Sequence, residues 1–254
     1  MRFSEDIIIL EKGYWNATLY NSEVITYPEE YKETTSLGVA CTQINNLKAP
    51  EQKKLVEKWS ETLPKLDKVK YLFLQSKVPQ IIFESACLMP NLAGLYIKWS
   101  GITDISSLIK LRNIRYFHLG SSTRLESIDI LKNMENLIYL GLENIKKISN
   151  IEPLLNLKNL IALYLEGSMW TTQVVETLKP LSNLHKLRHL RMANLKTHDK
   201  TIEFLGEMKN LKYLNGPAFF SKGFNYQNEI NNLWRKNPNL IIDSRNKNGD
   251  IVKE

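Results

Sequence analysis

Two neighbouring stretches decide the fold: MENLIYLGL at residues 134–142 and LKNLIALYL at residues 157–165. Both read L-x-x-L-x-x-L-x-L with Met or Leu at the first position. Working outward, the same frame recurs in LDKVKYLFL, MPNLAGLYI and LRNIRYFHL on one side, and in LHKLRHLRM and MKNLKYLN on the other. The central apolar residues are Leu72, Leu95, Phe117, Leu140, Leu163, Leu190 and Leu214, separated by 23, 22, 23, 23, 27 and 24 residues. Each L-x-L centre alternates with period two, as a half-buried strand requires. Between these centres runs a second apolar ladder, such as Ile102, Ile105 and Leu108. Its three-residue step suits a short 3₁₀ or helical turn. One such unit cannot bury its own apolar face, so successive units must stack.

This pattern resembles the leucine-rich repeat family, especially its short internalin-type repeats of about 22 residues. The resemblance covers residues 66–216 in about seven copies. It implies an α/β fold: a right-handed leucine-rich repeat solenoid with a parallel concave β-sheet, a 3₁₀ or helical convex side, and caps at both ends. Family members usually place Asn after the strand; here that neighbourhood holds Ser100, Ser122, Asn144, Ser168 and Asn194, a patchy ladder. The caps are expected over 1–65 and 217–254. The first should contain a β-hairpin about Asn21-Ser22, a strand near Leu37 to Ile44, and a helix opened by Pro50 with Leu55, Val56, Trp59 and Leu63 on one face. The second should contain a helix in NYQNEINNLWRKNP, burying Ile230, Leu233 and Trp234, and a final strand in NLIID. Repeats five and six carry inserts, and VVETLKPL and TIEFLGEM are expected to form full helices.

The whole chain of 254 residues is 43% hydrophobic and 24% charged, which excludes a disordered polypeptide. Its two cysteines, Cys41 and Cys87, cannot build a disulfide framework and suit a reducing compartment. The N-terminus offers four consecutive apolar residues, Ile7 to Leu10, flanked by acids. A secretory leader needs a basic start and roughly 7–15 apolar residues, so a cytoplasmic location is expected, without membrane insertion. The formal charge is +7, and residues 185–254 hold 13 Lys/Arg against 7 Asp/Glu. That bias admits nucleic acid as a partner, although a solvated Lys-rich surface explains it more simply.

In L-x-L the leucines point inward and the residues between them point to the concave surface. One column is then Tyr71, Gly94, Tyr116, Tyr139, Ala162, His189 and Tyr213. The next is Phe73, Tyr96, His118, Gly141, Tyr164, Arg191 and Asn215. Six of the eleven tyrosines occupy these fourteen positions. A third column includes Gln75, Lys98, Glu143 and Glu166, and Trp99 and Trp170 are rim candidates. Tyr, Trp and Arg dominate protein-binding hot spots, so these residues are expected to form a solvent-facing protein-binding surface. Truncating Tyr139 or Tyr164 should then weaken a partner and leave the fold intact.

Catalytic signatures are missing from the sequence: it has no P-loop, H-E-x-x-H, G-x-S-x-G or C-x-x-C. His118 and His189 fall three strands apart, about 14 Å, too far to share a metal. Glu143 and Glu166 are neighbours across two strands, a weak basis for acid–base work. The expectation is a non-enzymatic protein-binding module needing no cofactor or metal. Its specific form is a bacterial immunity protein that neutralises a toxin. The alternatives are a secreted effector that binds a host protein, and, behind it, a nucleic-acid-binding protein using the basic C-terminal quarter.

Overall fold

The computed structural model describes residues 5–216, 225–245 and 247–251. Residues 1–4, 217–224, 246 and 252–254 lie outside it, so those parts of the expected caps are not described. Seven strands carry the repeat centres: β3 (Tyr71–Val78), β4 (Gly94–Ser100), β5 (Tyr116–Leu119), β6 (Tyr139–Glu143), β7 (Ala162–Glu166), β9 (His189–Arg191) and β11 (Tyr213–Asn215). The numbering leaves room for β8 (Gln173–Val175) and β10 (Leu195–Thr197), which lie in the two inserts. On the N-terminal side β1 (Val24–Ile25) and β2 (Ser36–Val39) join the sheet, and on the C-terminal side β12 (Ile241–Ile242) does so. Among the described residues these form one ten-stranded sheet in the order β1-β2-β3-β4-β5-β6-β7-β9-β11-β12, every neighbouring pair parallel.

The register is the one the repeats dictate. Leu72 pairs with Leu95, and the row continues through Phe117, Leu140, Leu163, Leu190 and Leu214. All seven are buried. The return segments are five 3₁₀ helices, Ser106–Lys110, Asp129–Asn133, Glu152–Asn156, Lys179–Asn183 and Glu203–Glu207, and they bury Leu108, Leu131, Leu154, Leu181 and Leu205. Each buried leucine contributes about 1.5–3 kcal/mol relative to an exposed one. The right-handed solenoid therefore rests on two facing aliphatic ladders, strand and convex turn.

Between coils, asparagine amides tie loops together just before the strands. Asn91 donates to the Asp67 carbonyl, Asn159 to Glu135, Asn210 to His185 and Asn237 to Leu211, at 2.7–2.9 Å. On the other side of the strands the ladder is mixed, as its residues implied. Ser100 and Ser122 hydroxyls are 2.6 Å apart, while Asn144 and Asn194 adopt left-handed backbone at φ +51° and +49°. Asn194 donates to the Ser168 carbonyl at 2.7 Å.

Helix α2 (Ala49–Thr62) opens with Pro50 in its first turn, and the Glu51 carboxylate accepts the Lys48 N–H at 2.8 Å. It buries Leu55 and Trp59, and the Trp59 indole N–H donates to the Thr26 carbonyl at 2.7 Å. A short helix α3 (Gln80–Ala86) follows β3 on the convex side and buries Ile82 and Phe83. Helix α4 (Tyr226–Lys236) is capped by the Asn225 side chain, buries Ile230 and Leu233, and half-buries Trp234. The Glu229 carboxylate accepts from Thr201 and the Ile202 N–H, joining α4 to the last repeat.

Two local expectations are corrected. The hairpin about Asn21-Ser22 does not form: β1 and β2 pair in parallel, Val24 beside Gly38 and Ile25 beside Val39, so the cap extends the solenoid's own geometry. VVETLKPL and TIEFLGEM do not form full helices either. β8 and β10 make a separate two-stranded parallel sheet, each followed by a single 3₁₀ helix. Val174, Val175 and Thr197 are β-branched and favour strands, and Pro180 removes a donor that a longer helix needs. Buried Asp199 fixes this arrangement, accepting from the Leu178 N–H at 2.6 Å and from the Thr177 and Thr197 hydroxyls at 2.7 and 2.8 Å.

Candidate functional site

The concave columns are arranged as the L-x-L frame requires, and they are not open along their whole width. Residues 5–20 form a strap across them. Helix α1 (Glu5–Lys12) ends at Gly13, whose N–H donates to the Ile9 carbonyl and whose φ of +69° suits glycine. The strap starts over β9, where His189 Nε2 donates to the Leu10 carbonyl at 3.0 Å. It then passes back over β5 and β4 to β3 and leads into β1.

Trp15 is the centre of this contact and is 1% exposed. Its ring stacks on Tyr116 at 5.5 Å and 19° and lies 5.1 Å from Phe73, 6.2 Å from Tyr96 and 6.2 Å from Tyr139. Tyr20 covers Tyr71 at 4.6 Å and Phe73 at 5.3 Å, and its hydroxyl accepts the Trp15 indole N–H at 2.6 Å. The floor under Trp15 is Gly94. A Cβ there would lie 2.5 Å from Trp15 Cζ2, so any other residue would collide with the ring. Gly13 approaches His189 as closely, since its Cβ would lie 2.3 Å from Nδ1. Ile9, Trp15, Tyr71, Phe73, Tyr116, Ile138, Tyr139 and Ala162 thus make a second apolar cluster, distinct from the solenoid core.

The expectation of a solvent-facing surface is therefore corrected for Tyr71, Phe73, Tyr116, His118, Tyr139 and His189, all of which are buried. The strap supplies the apolar area that covers or hems them. His118 stacks on Tyr96 at 4.5 Å, bonds the Tyr139 hydroxyl through Nδ1 at 3.1 Å, and fills the space above Gly141. Burial pushes its pKa down to about 4, with the nearby Arg191 charge adding to the effect. Tyr139 is held well above its ordinary value, chiefly by burial.

Beside the strap the remaining candidates stay accessible. Tyr96, Trp99, Glu143, Tyr164, Glu166 and Tyr213 are half-buried, and Lys98 and Arg191 are exposed. The neighbours Glu143 and Glu166 are in register. Arg191 Nε donates to Glu166 at 2.8 Å, and its guanidinium lies 5.2 Å from the Tyr164 ring centre. Burial raises the pKa of both carboxyls; the Glu166 charge adds to the effect on Glu143, while Arg191 offsets part of it on Glu166. Next to them a cleft of about 230 Å³ is lined by residues that include Gly13, Tyr14, Tyr164, His189, Arg191 and Tyr213. Lys77 Nζ lies 5.7 Å above the Trp99 ring. Met169 and Trp170, in the loop after β7, are 87% and 89% exposed. Ser168 Oγ accepts the N–H groups of Trp170 and Thr171, so this apolar tip sits on a bonded turn.

Among the described residues no group of three or more His, Cys, Asp or Glu could hold a metal ion. Burial pushes the Cys41 thiol up to about 11 and the Cys87 thiol higher still, which keeps both protonated. No helix among the described residues is long and apolar enough to cross a membrane.

Sequence reasoning missed the strap and, with it, Gly13, Trp15, Tyr20 and Gly94. One signal was present: Gly94 interrupts an otherwise large concave column, and that gap leaves room for the incoming Trp15 ring.

Sheet, convex turns and side-chain ladders define a leucine-rich repeat solenoid. Among solved structures, internalin C2 of Listeria monocytogenes superposes with a TM-score of 0.55 at 24% identity, covering 74% of this chain and 79% of that one. A second internalin of the same organism gives 0.51 at 22% identity, with 71% and 55% covered. A leucine-rich repeat protein of Leptospira interrogans gives 0.54 at 18% identity, with 72% and 50% covered. At these identities the likeness is one of fold. No protein-family model and no curated protein matches the chain.

Proposed function

We propose that this protein is a non-enzymatic module that binds another protein along the uncovered part of its concave face. The observation that carries this reading is the loop after β7. It holds Trp170 and Met169 almost fully in solvent on a hydrogen-bonded turn, next in sequence to the strand that presents Tyr164 and Glu166. A large exposed aromatic is unfavourable in water, and a backbone already held by hydrogen bonds loses less freedom on docking. Tyr164, Arg191 and the cleft beside them supply hydrogen-bonding and charged groups for orientation. The test is affinity capture from the native source with the parent protein and with Trp170→Ala, Tyr164→Ala and Arg191→Ala. One protein retained by the parent and lost by folded variants supports the proposal. Equal retention by all four overturns it.

An immunity role is the specific form we favour, because a concave groove can occlude an enzyme's active site. A toxin gene adjacent to this one, and inhibition of that toxin at equimolar protein, would support it. Neighbouring secretion chaperones would instead favour an effector that binds a host protein. Nucleic-acid binding is less well supported: Arg235 and Lys236 are paired with Glu203, and Lys236 also with Glu207. Affinity for nucleic acid that fell steeply with salt would restore that reading.

A further inference from the structure

The strap meets the sheet as a peptide meets a groove. It adds no strand; its ring contacts and one His189 bond face β3 to β9. It is also folded within itself. Asn16 Oδ1 accepts the Thr18 N–H at 3.0 Å and caps a 3₁₀ turn, Ala17–Leu19, and the Trp15 N–H is satisfied by Tyr20. The cage that receives Trp15 belongs to the sheet: Tyr71, Phe73, Tyr96, Tyr116 and Tyr139 stand on β3 to β6, in places fixed by the strand register. Removing the strap would open the aromatic cluster and leave the aliphatic ladders of the solenoid closed, because the two clusters are separate.

We infer that this cage is a recognition pocket for a Gly-x-Trp peptide segment, that residues 9–20 are its resident tethered ligand, and that a partner carrying the same chemistry displaces them. The inference rests on the protein-binding reading and adds the chemistry of the partner. Tryptophan is required because Trp15 alone touches five rings of the sheet and reaches down to the bare Gly94. Glycine two positions earlier is required because its backbone is left-handed and any Cβ would strike the His189 ring. His189 is itself held in place by stacking on Tyr213 at 4.6 Å and 7°. A tether of this kind holds its ligand at an effective concentration on the millimolar scale, so a competitor succeeds only once the strap is weakened or its own contacts are more extensive.

The test uses the full chain and a labelled synthetic peptide of residues 9–20, ILEKGYWNATLY, in fluorescence titration. The Trp15→Ala protein should take up this peptide at least about tenfold more tightly than the parent, whose pocket is filled. A peptide with Trp15→Ala should not bind, and one with Gly13→Ala should bind several-fold more weakly. A Trp15→Ala/Gly94→Val protein, in which the valine fills the cage and suits the strand, should remain folded and take up nothing. A folded Trp15→Ala protein that ignores the peptide, or that takes up the Trp-free peptide equally well, overturns the inference. So does loss of the β-sheet circular dichroism in Trp15→Ala, which would make the strap part of the solenoid's own core. A concentration-dependent dimer with no peptide uptake would assign the pocket to a second copy and also overturn it. None of these failures touches the groove beside the strap, because capture through Tyr164, Trp170 and Arg191 is measured separately.

Discussion

Tyr139 and Tyr164 stand on neighbouring strands and pack edge to face at 5.5 Å, yet one is 1% exposed and the other only half-buried. Identical side chains in one sheet have different fates because of what lies opposite them. Over Tyr139 sits the strap with Trp15; beside Tyr164 lie Arg191 and open solvent. The concave face is therefore two regions: an aromatic half already satisfied from within the chain, and a polar-aromatic half that still meets water. An aromatic stripe on a repeat sheet reports that something packs there. It does not report whether that something is a partner or another segment of the same chain.

The sharpest way to break this division is Trp15→Ala, expected to cost about 3–5 kcal/mol at its site. The loss should appear as rapid hydrogen exchange of amides 9–20 while the sheet amides stay protected. Leu140→Ala should cost about 2–5 kcal/mol through the aliphatic ladder, and denaturant unfolding should show it as a lowered global stability. Equal effects of both changes on every amide would merge the two regions into one.

Acid should distinguish them next. Folding holds His118 near pKa 4, below its ordinary 6.5, so the folded state binds fewer protons than the unfolded chain between those values. That contribution is complete above about pH 6.5 and is lost as pH falls toward 4, about 3 kcal/mol in all. Glu143 and Glu166 act in the opposite sense, because their raised pKa values favour the folded state as they become protonated. Comparing the acid limb of stability for the parent and His118→Gln isolates the histidine, and the variant should show the shallower fall. In the open half, Trp170→Ala should cost a partner about 2 kcal/mol in titration calorimetry, with melting unchanged. The smallest effect belongs to Arg191→Met: its ion pair is nearly half exposed on the arginine side, so stability should change by less than about 1 kcal/mol.

What the chain discloses by itself divides along the same line. The seven-fold frame around Leu72 to Leu214 fixes strands, register and inward-facing rows, because period and spacing are enough to specify a stacked coil. The same frame places Tyr71, Tyr116 and Tyr139 on the concave side. It says nothing of Trp15, which belongs to no repeat and finds its cage through contacts about 60 to 120 residues away. VVETLKPL forms no full helix because Val174-Val175 and Pro180 outweigh the helical spacing of the leucines around them. The hairpin about Asn21-Ser22 was a turn signal without a returning partner strand. The Asn residues before the strands, Asn91, Asn159 and Asn210, hold the same third position of the repeat frame, so their ladder is legible in the sequence.

Asn159 and Asn210 sit in a limb of the coil whose length is constant wherever the convex turn is a 3₁₀ helix; the limb holding Asn91, between α3 and β4, is two residues longer. The last residue of every convex 3₁₀ turn, Lys110, Asn133, Asn156, Asn183 or Glu207, is followed six positions later by the first residue of the next strand, Tyr116, Tyr139, Ala162, His189 or Tyr213. All the extra residues of the longer repeats fall on the opposite limb, where β8 and β10 absorb them. The solenoid thus has a metered seam and an elastic seam. Grafted loops or added epitopes should be accommodated along the second, while a single residue inserted along the first would throw every later coil out of step.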